Sequence, residues 1–421
     1  MIIGKGSVTE TLNETQVYDL CAEALAQENL DGKRVLIIIP DYTRSGPIDL
    51  MFRVVYKLLA GRVKALDFLI ALGTHPPMTD EQIYKLLDIT KEEHRQDFPK
   101  AKFFNHECQN PAQLRLARTF SEDEIDELSG GRLRKRVDVT INKMVYDYDF
   151  LIIIGATFPH EAMGFSGGHK YFFPGISGED IIDTFHWIGA LISLPYFIGK
   201  KDTPMRRLVE SAAAAIPTER LCMSMVVKEH KLWGLYIGPP EVTFSHAADL
   251  SDKIHIIYKD RPFKRVLSCA PQMYDEIWTA GKCMYKLESV VADGGELIIY
   301  APHINHLSIT YGKQLEEIGY HCRDYFVKQW DKFKDVQGGV LAHSCNVRGI
   351  GAFENGVEKP RIDVVLATQI TEEYCKKINL GYRNPVSIDF SEFENREDEG
   401  ILYIPEAGEM LYLLKNNPFS L

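Results

Sequence analysis

The feature that most constrains this chain is a series of short apolar runs, each halted by a polar or Gly/Pro-containing loop. They fall at residues 35–39, 68–72, 151–154, 266–267, 297–300 and 364–366, with VLIIIP and LIIIGA the most continuous. They are too short for buried helices and rich in Ile, Leu and Val, and helical patterning follows them. Such runs read as parallel strands buried on both faces, which makes the chain an α/β protein with mainly parallel sheets. At 421 residues it is long enough for more than one domain. The clearest break is KDRPFKR, where Pro262 precedes a fresh pattern of strand, helix over 276–292, Gly294-Gly295 stop and strand. The expectation is an N-terminal α/β domain over 1–262 and a C-terminal α/β domain over 263–400. The acidic SEFENREDEG leads into a stretch, 401–421, that either closes the second domain or returns to the first.

Charge narrows the partners. Lys and Arg total 48 against 59 Asp and Glu, a formal net charge of −11, so the basic footprint of a nucleic-acid binder is missing. The eight cysteines are scattered singly and predict thiols in a reducing compartment rather than a disulfide framework or zinc site. The first residues lack a signal-peptide pattern and no apolar run reaches the roughly 18 residues of a membrane span. The expected location is the cytoplasm.

The chemistry gathers just after the strands. VLIIIP runs into Asp41-Tyr42-Thr43-Arg44, FLIALG into Thr74-His75, and LIIIGATFP into His160. Ligands of parallel α/β sheets bind beyond the carboxyl ends of the strands, so these three loops can converge on one crevice. The densest stretch is HEAMGFSGGHKYFFPGISGEDIIDTFH, residues 160–186. Its glycines, Gly167, Gly168 and Gly178 among them, offer a backbone that can approach a ligand, and Ser177 or Gly178 is placed to cap the helix opening at Glu179, whose N-terminus is a natural phosphate site, so these four residues are candidate cofactor contacts. Lys170, flanked by Tyr171, Phe172 and Phe173, reads either as a desolvated lysine suited to covalent chemistry or as a snorkelling one. His186, in the second turn of the next helix, reads as a core histidine or as a metal ligand. His169 reads as a weaker candidate, exposed to solvent. Dinucleotide, P-loop and HExxH patterns are all missing.

Taken together, DYTR (41–44), GTHPPMT (73–79), PHEAMGFSGGHKYFFPGISG (159–178), His186 and WTAGK (278–282) resemble the lactate racemase family of nickel-pincer nucleotide enzymes, and IPEAG in the tail is similar to family C-termini. The resemblance implies a racemase or epimerase acting at C2 of a 2-hydroxy acid. It implies a pyridinium nucleotide with two sulfur donors and nickel, made by separate cofactor-synthesis enzymes and joined to Lys170. It further implies His186 as the nickel ligand, His75 and His160 as the acid/base pair, and Arg44 and Lys282 as carboxylate-binding cations. Trp278 and Thr279 would line the substrate pocket, and Asp41 would orient Arg44 or the cofactor. With Lys282 in the second domain, the implied site is an interdomain cleft.

Hydride removal is a sensible route for such a substrate, because a carbanion beside a carboxylate is very unstable and no imine sink is available. Several positions depart from the family pattern: Ser45 after DYTR, Pro76 after GTH, Thr279 in place of Gln, and His303 and His306 in APHINHLS. These suggest a substrate larger or more hydroxylated than lactate, such as an aldonate. Two other readings stay open. One is a hydrolase or lyase with a metal bound directly by His75, His160 and His186; the other is a non-catalytic binder of a hydroxy acid or nucleotide.

Overall fold

The computed structural model describes residues 2–43 and 46–419. The chain divides into two compact units. The first is built on a seven-stranded sheet in the order Ile3–Gly6, Lys231–Gly238, Arg220–Lys228, Phe150–Ala156, Arg34–Pro40, Ala65–Ala71, Ala101–Asn105. The five strands from Arg220–Lys228 to Ala101–Asn105 run parallel, and the remaining two add antiparallel pairings at one edge. Val35, Ile37 and Ile39 pack in one core with Met51, Phe52, Val55 and Leu59 of the helix Ile48–Leu59, while Leu36 and Ile38 are buried on the opposite face. That double burial is why these strands read as continuous apolar runs.

Strand order fixes where a ligand can bind. From Arg34–Pro40 the chain steps outward through Ala65–Ala71 to Ala101–Asn105, then returns to the other side of Arg34–Pro40 with Phe150–Ala156. The order therefore reverses between Arg34–Pro40 and Phe150–Ala156, and the loops leaving those two strands flank the switch-point crevice. They are the loops carrying Asp41 and His160. The Thr74-His75 loop leaves the strand next door.

The second unit holds a five-stranded, wholly parallel sheet in the order Gly381–Tyr382, Asp363–Thr368, Val291–Ala301, Phe263–Cys269, Ile401–Ile404. Its own switch point lies between Phe263–Cys269 and Ile401–Ile404. The loops there carry WTAGK and IPEAG, and Ala407 N donates to Cys269 O at 2.8 Å.

Two expectations change, and one choice left open by the sequence is decided. The first unit comprises 1–160, 164–182 and 200–254, and the second takes 161–163, 183–199 and everything from His255 onward. The 401–421 tail stays with the second unit, because Ile401–Ile404 joins its sheet and Leu411–Leu414 pairs in parallel with Ile256–Lys259. That same pairing draws residues 256–259 out of the expected first domain. The helix expected over 276–292 is broken into Ile277–Ala280, Lys282–Tyr285 and a 3₁₀ turn, Glu288–Val290. Strand Val291–Ala301 then begins before Gly294-Gly295, and the register shift between Phe263 and Arg265 accommodates the glycines within the ladder. No disulfide forms among the cysteines, and among the described residues no helix is long and apolar enough to cross a membrane.

Candidate functional site

At the switch point of the first unit, Asp41 is buried and reaches His75, whose Nδ1 lies 2.5 Å from Asp41 Oδ2. A carboxylate only accepts, so the imidazole carries its proton on Nδ1 and presents Nε2 as the basic nitrogen. The other carboxylate oxygen accepts from Thr43 N at 3.1 Å and Thr43 Oγ1 at 2.6 Å. Asp41 thus fixes the ring of His75, a partner that its place in the DYTR motif did not reveal. The His75 side chain remains 30% exposed, which leaves an edge open to a ligand. Its loop is tied down on both sides: Gly73 N donates to Gly175 O at 3.0 Å, and Asn105, ending the neighbouring strand, brackets Met78 through N–H and C=O. Thr79 closes the motif as N-cap of the helix Asp80–Leu86, in a capping box with Gln82.

His160 is buried on a two-residue hairpin strand paired with Gly164–Phe165. Lys170 lies on the 3₁₀ turn Gly168–Tyr171 and is only 8% exposed. Burial of the whole turn argues against a snorkelling lysine, whose head group would reach water. The turn is fixed at both ends, Lys170 N donating to Gly167 O and Gly175 N to Lys170 O, each at 3.3 Å. Arg44 lies outside the described residues, as does Ser45.

The glycines of this block are accounted for by packing. Gly167 has φ +93°, and a Cβ there would fall 2.1 Å from Thr157 Oγ1. A Cβ on Gly178 would fall 2.1 Å from Thr140 Oγ1, and one on Gly168 3.1 Å from Phe244 Cβ. Ser177 is fully buried, and its carbonyl accepts from His106 Nε2 at 2.9 Å. Ser177 and Gly178, expected as cofactor contacts, therefore have structural work that explains them.

His169 corrects another expectation. It is 1% exposed rather than on the surface, with Nδ1 2.5 Å from Glu210 Oε2 and 3.7 Å from Glu241 Oε1. These three could be read as metal ligands. However, two donors on one zinc- or nickel-sized ion, each about 2.1 Å from it, lie about 3 Å or more apart. The His169–Glu210 separation is that of a hydrogen bond, and Arg206 already balances the charge, its Nη1 3.5 Å from Glu210 Oε1. Burial pushes up on the Glu210 carboxyl, but the bonds and charges of His169 and Arg206 outweigh it and hold the group below the usual range. Sequence reasoning missed Arg206 and Glu210. Their i, i+4 spacing on the amphipathic helix Pro204–Ala213 was the available signal, though it is shared with ordinary surface pairs.

In the second unit, His186 lies on the helix Glu179–Ile192. It is the eighth residue of that helix, which opens at Glu179 as expected, and is half-buried, with its ring 4.4 Å from that of Phe185. Lys282 opens the helix Lys282–Tyr285, its ammonium 4.9 Å from the Tyr274 ring centroid. Trp278 packs on His343 and Tyr311, at 4.4 and 4.8 Å between centroids. Thr279 Oγ1 donates to Glu276 O at 3.0 Å. His303 Nε2 donates to Tyr274 O at 2.9 Å, and His306 Nδ1 to Asn305 Oδ1 at 2.7 Å. The added polarity at Thr279 and His303 is thus bonded within the unit, which weakens it as a sign of a more hydroxylated substrate, whereas His306 Nε2 is buried without a hydrogen-bond partner among the described residues.

Fold and site define an α/β protein in which a carboxylate-held histidine and a buried lysine lie on loops beyond the strand ends of one mainly parallel sheet. Residues 8–193 match the family model described as the lactate racemase N-terminal domain. The chain is 25% identical over 281 residues to a lactate racemase of Thermoanaerobacterium thermosaccharolyticum, a match covering 65% of this chain and 61% of that protein. A crystal structure of a Thermotoga maritima protein superposes with a TM-score of 0.88 at 35% identity, covering 98% of this chain and 100% of the other. The lactate racemase apoprotein of T. thermosaccharolyticum superposes with a TM-score of 0.71 at 20% identity, over 96% and 93% of the two chains, a likeness of fold. Over residues 8–193, somewhat under half of its length, the chain is thus similar to the lactate racemase N-terminal domain.

Proposed function

We propose that the protein is a racemase or epimerase inverting C2 of a 2-hydroxy acid, with a nickel-pincer nucleotide carried on Lys170. The observation that carries this reading is the Asp41–His75 pair, whose loop is bonded to the one following the buried Lys170 turn through Gly73 N and Gly175 O, in a chain similar to the lactate racemase N-terminal domain. The residues present suit the group: a buried lysine on a doubly fixed turn offers the attachment amine, and the half-buried imidazole of His186 is a suitable nickel donor. When bound, the cofactor supplies a hydride acceptor, chemistry that no side chain provides.

The protein's own residues manage protons and position. Asp41 keeps the His75 proton on Nδ1, so Nε2 can take the proton of the substrate hydroxyl and later return it. It also stabilises the imidazolium that forms meanwhile. His160 serves the opposite enantiomer in the same way. Arg44 and Lys282 hold the carboxylate while the planar 2-keto intermediate turns, Arg44 offering a paired donor set and Lys282 a point charge. Withdrawing water around the ketone preserves it for return of hydrogen to the other face.

The test is turnover of single enantiomers of lactate and of C2-epimeric aldonates in deuterated water by cofactor-loaded protein. Inversion with the original hydrogen kept at C2 is expected for at least one of them. Inversion with solvent deuterium at C2 would mean proton abstraction, and no inversion of any 2-hydroxy acid would remove the reading. Turnover of lactate alone would set aside the larger substrates.

A further inference from the structure

The geometry points to Arg206 and Glu210 as positioning residues that latch the Lys170 turn from outside. This rests on the proposed role of Lys170 as the cofactor anchor, although the latch itself can be measured without it. Arg206 is 5% exposed, and its guanidinium straddles the loop before Lys170: Nη2 donates to Phe165 O at 2.7 Å and Nη1 to Gly167 O at 3.0 Å. It stacks on Phe244, 3.8 Å from the ring centroid, the same ring that backs Gly168. One turn along the helix, Glu210 accepts from His169 Nδ1, the residue directly before Lys170. The helix therefore grips both sides of Gly168 with opposite charges that also pair with each other.

The construction is demanding. Two carbonyls at Phe165 and Gly167 need a forked, always-charged donor, which Arg supplies and Lys does not. Thr203 caps the helix by accepting from Arg206 N at 3.0 Å, so the backbone that carries the fork is itself fixed. Apart from the latch, the loop has left-handed backbone at Gly167 and Gly168, with φ of +93° and +59°. Glycine chains of this kind are mobile unless bonded down. Attachment of a cofactor to one amine needs that amine held in one place.

Hydrogen exchange of the full-length protein, made without cofactor-synthesis enzymes, reads the latch at amides 164–176. In Arg206→Lys and in the gentler Glu210→Gln, exchange there should rise by about tenfold or more while strand 150–156 keeps its protection. Val209→Ala, on the same helix but without a polar tie to the loop, is the control for general loosening. Unchanged exchange at 164–176 in Glu210→Gln, or an equal rise in Val209→Ala, would overturn the latch. The same variants co-expressed with the cofactor-synthesis enzymes should carry severalfold less added mass on Lys170 than wild type at equal folded protein. Full loading on a loosened loop would overturn the positioning role. An unmodified Lys170 in the wild type would instead overturn the anchor reading, and with it the positioning role, leaving the exchange result to judge the latch alone.

Discussion

Asp41 and His75 sit 34 residues apart in sequence and 2.5 Å apart in space, and the proposed acid/base chemistry turns on that contact. Asp41→Asn keeps the shape but can donate as well as accept, so His75 no longer has its tautomer imposed. Steady-state turnover should fall by about 10²- to 10⁴-fold with the Lys170 adduct intact by mass; near-normal turnover would contradict an Asp41-fixed base. The residue types were legible in the sequence, because Asp41, His75, His160 and Lys170 all stand where strands end or glycines cluster. Their partners were not. Asp41 was expected to orient Arg44 or the cofactor, and His169 was expected at the surface, because a motif shows a side chain without the distant residue that claims it. Glu210, which buries and pairs His169, lies 41 positions away.

Elements were legible where burial wrote a continuous pattern, as in Arg34–Pro40 and Phe150–Ala156. The hairpin Arg220–Lys228 and Lys231–Gly238 escaped notice because its turn residues, Glu229 and His230, take φ of +53° and +59° without the Asn or Gly that usually marks such a turn. The connection from His106 to Ser177 belongs to this scale, since it staples the loop after Ala101–Asn105 to the entrance of the helix Glu179–Ile192. Burial pushes the His106 imidazole down to about 4 from its ordinary 6.5. The unfolded chain therefore takes up the proton first as pH falls. The resulting stability is complete above pH 6.5 and is lost as the pH drops toward about 4, where the folded state protonates too. Burial lowers His343 to about 3 and adds to the same slope. Urea unfolding across that window should show the fall, and His106→Gln should flatten part of it; an identical slope in the variant would contradict a buried neutral His106.

For the whole molecule, an α/β architecture followed from strand length and spacing, but the partition of the chain did not. The boundary expected near Pro262 misses that the chain crosses into the second unit at 183–199 and again at His255, because sheet pairing by Ile256–Lys259 and Leu411–Leu414 is a contact between distant segments. The motifs are divided by this redrawing: DYTR, GTH and the Lys170 block apart from 161–163 fall in the first unit, WTAGK and His186 in the second. The account stands or falls on what Lys170 carries. Peptide mapping and metal analysis of full-length protein co-expressed with the cofactor-synthesis enzymes should find added mass on Lys170 and nickel bound in step with it, both lost in Lys170→Ala. An unmodified Lys170 in active protein would contradict the account and return the chemistry to a directly bound metal or to ligand binding alone.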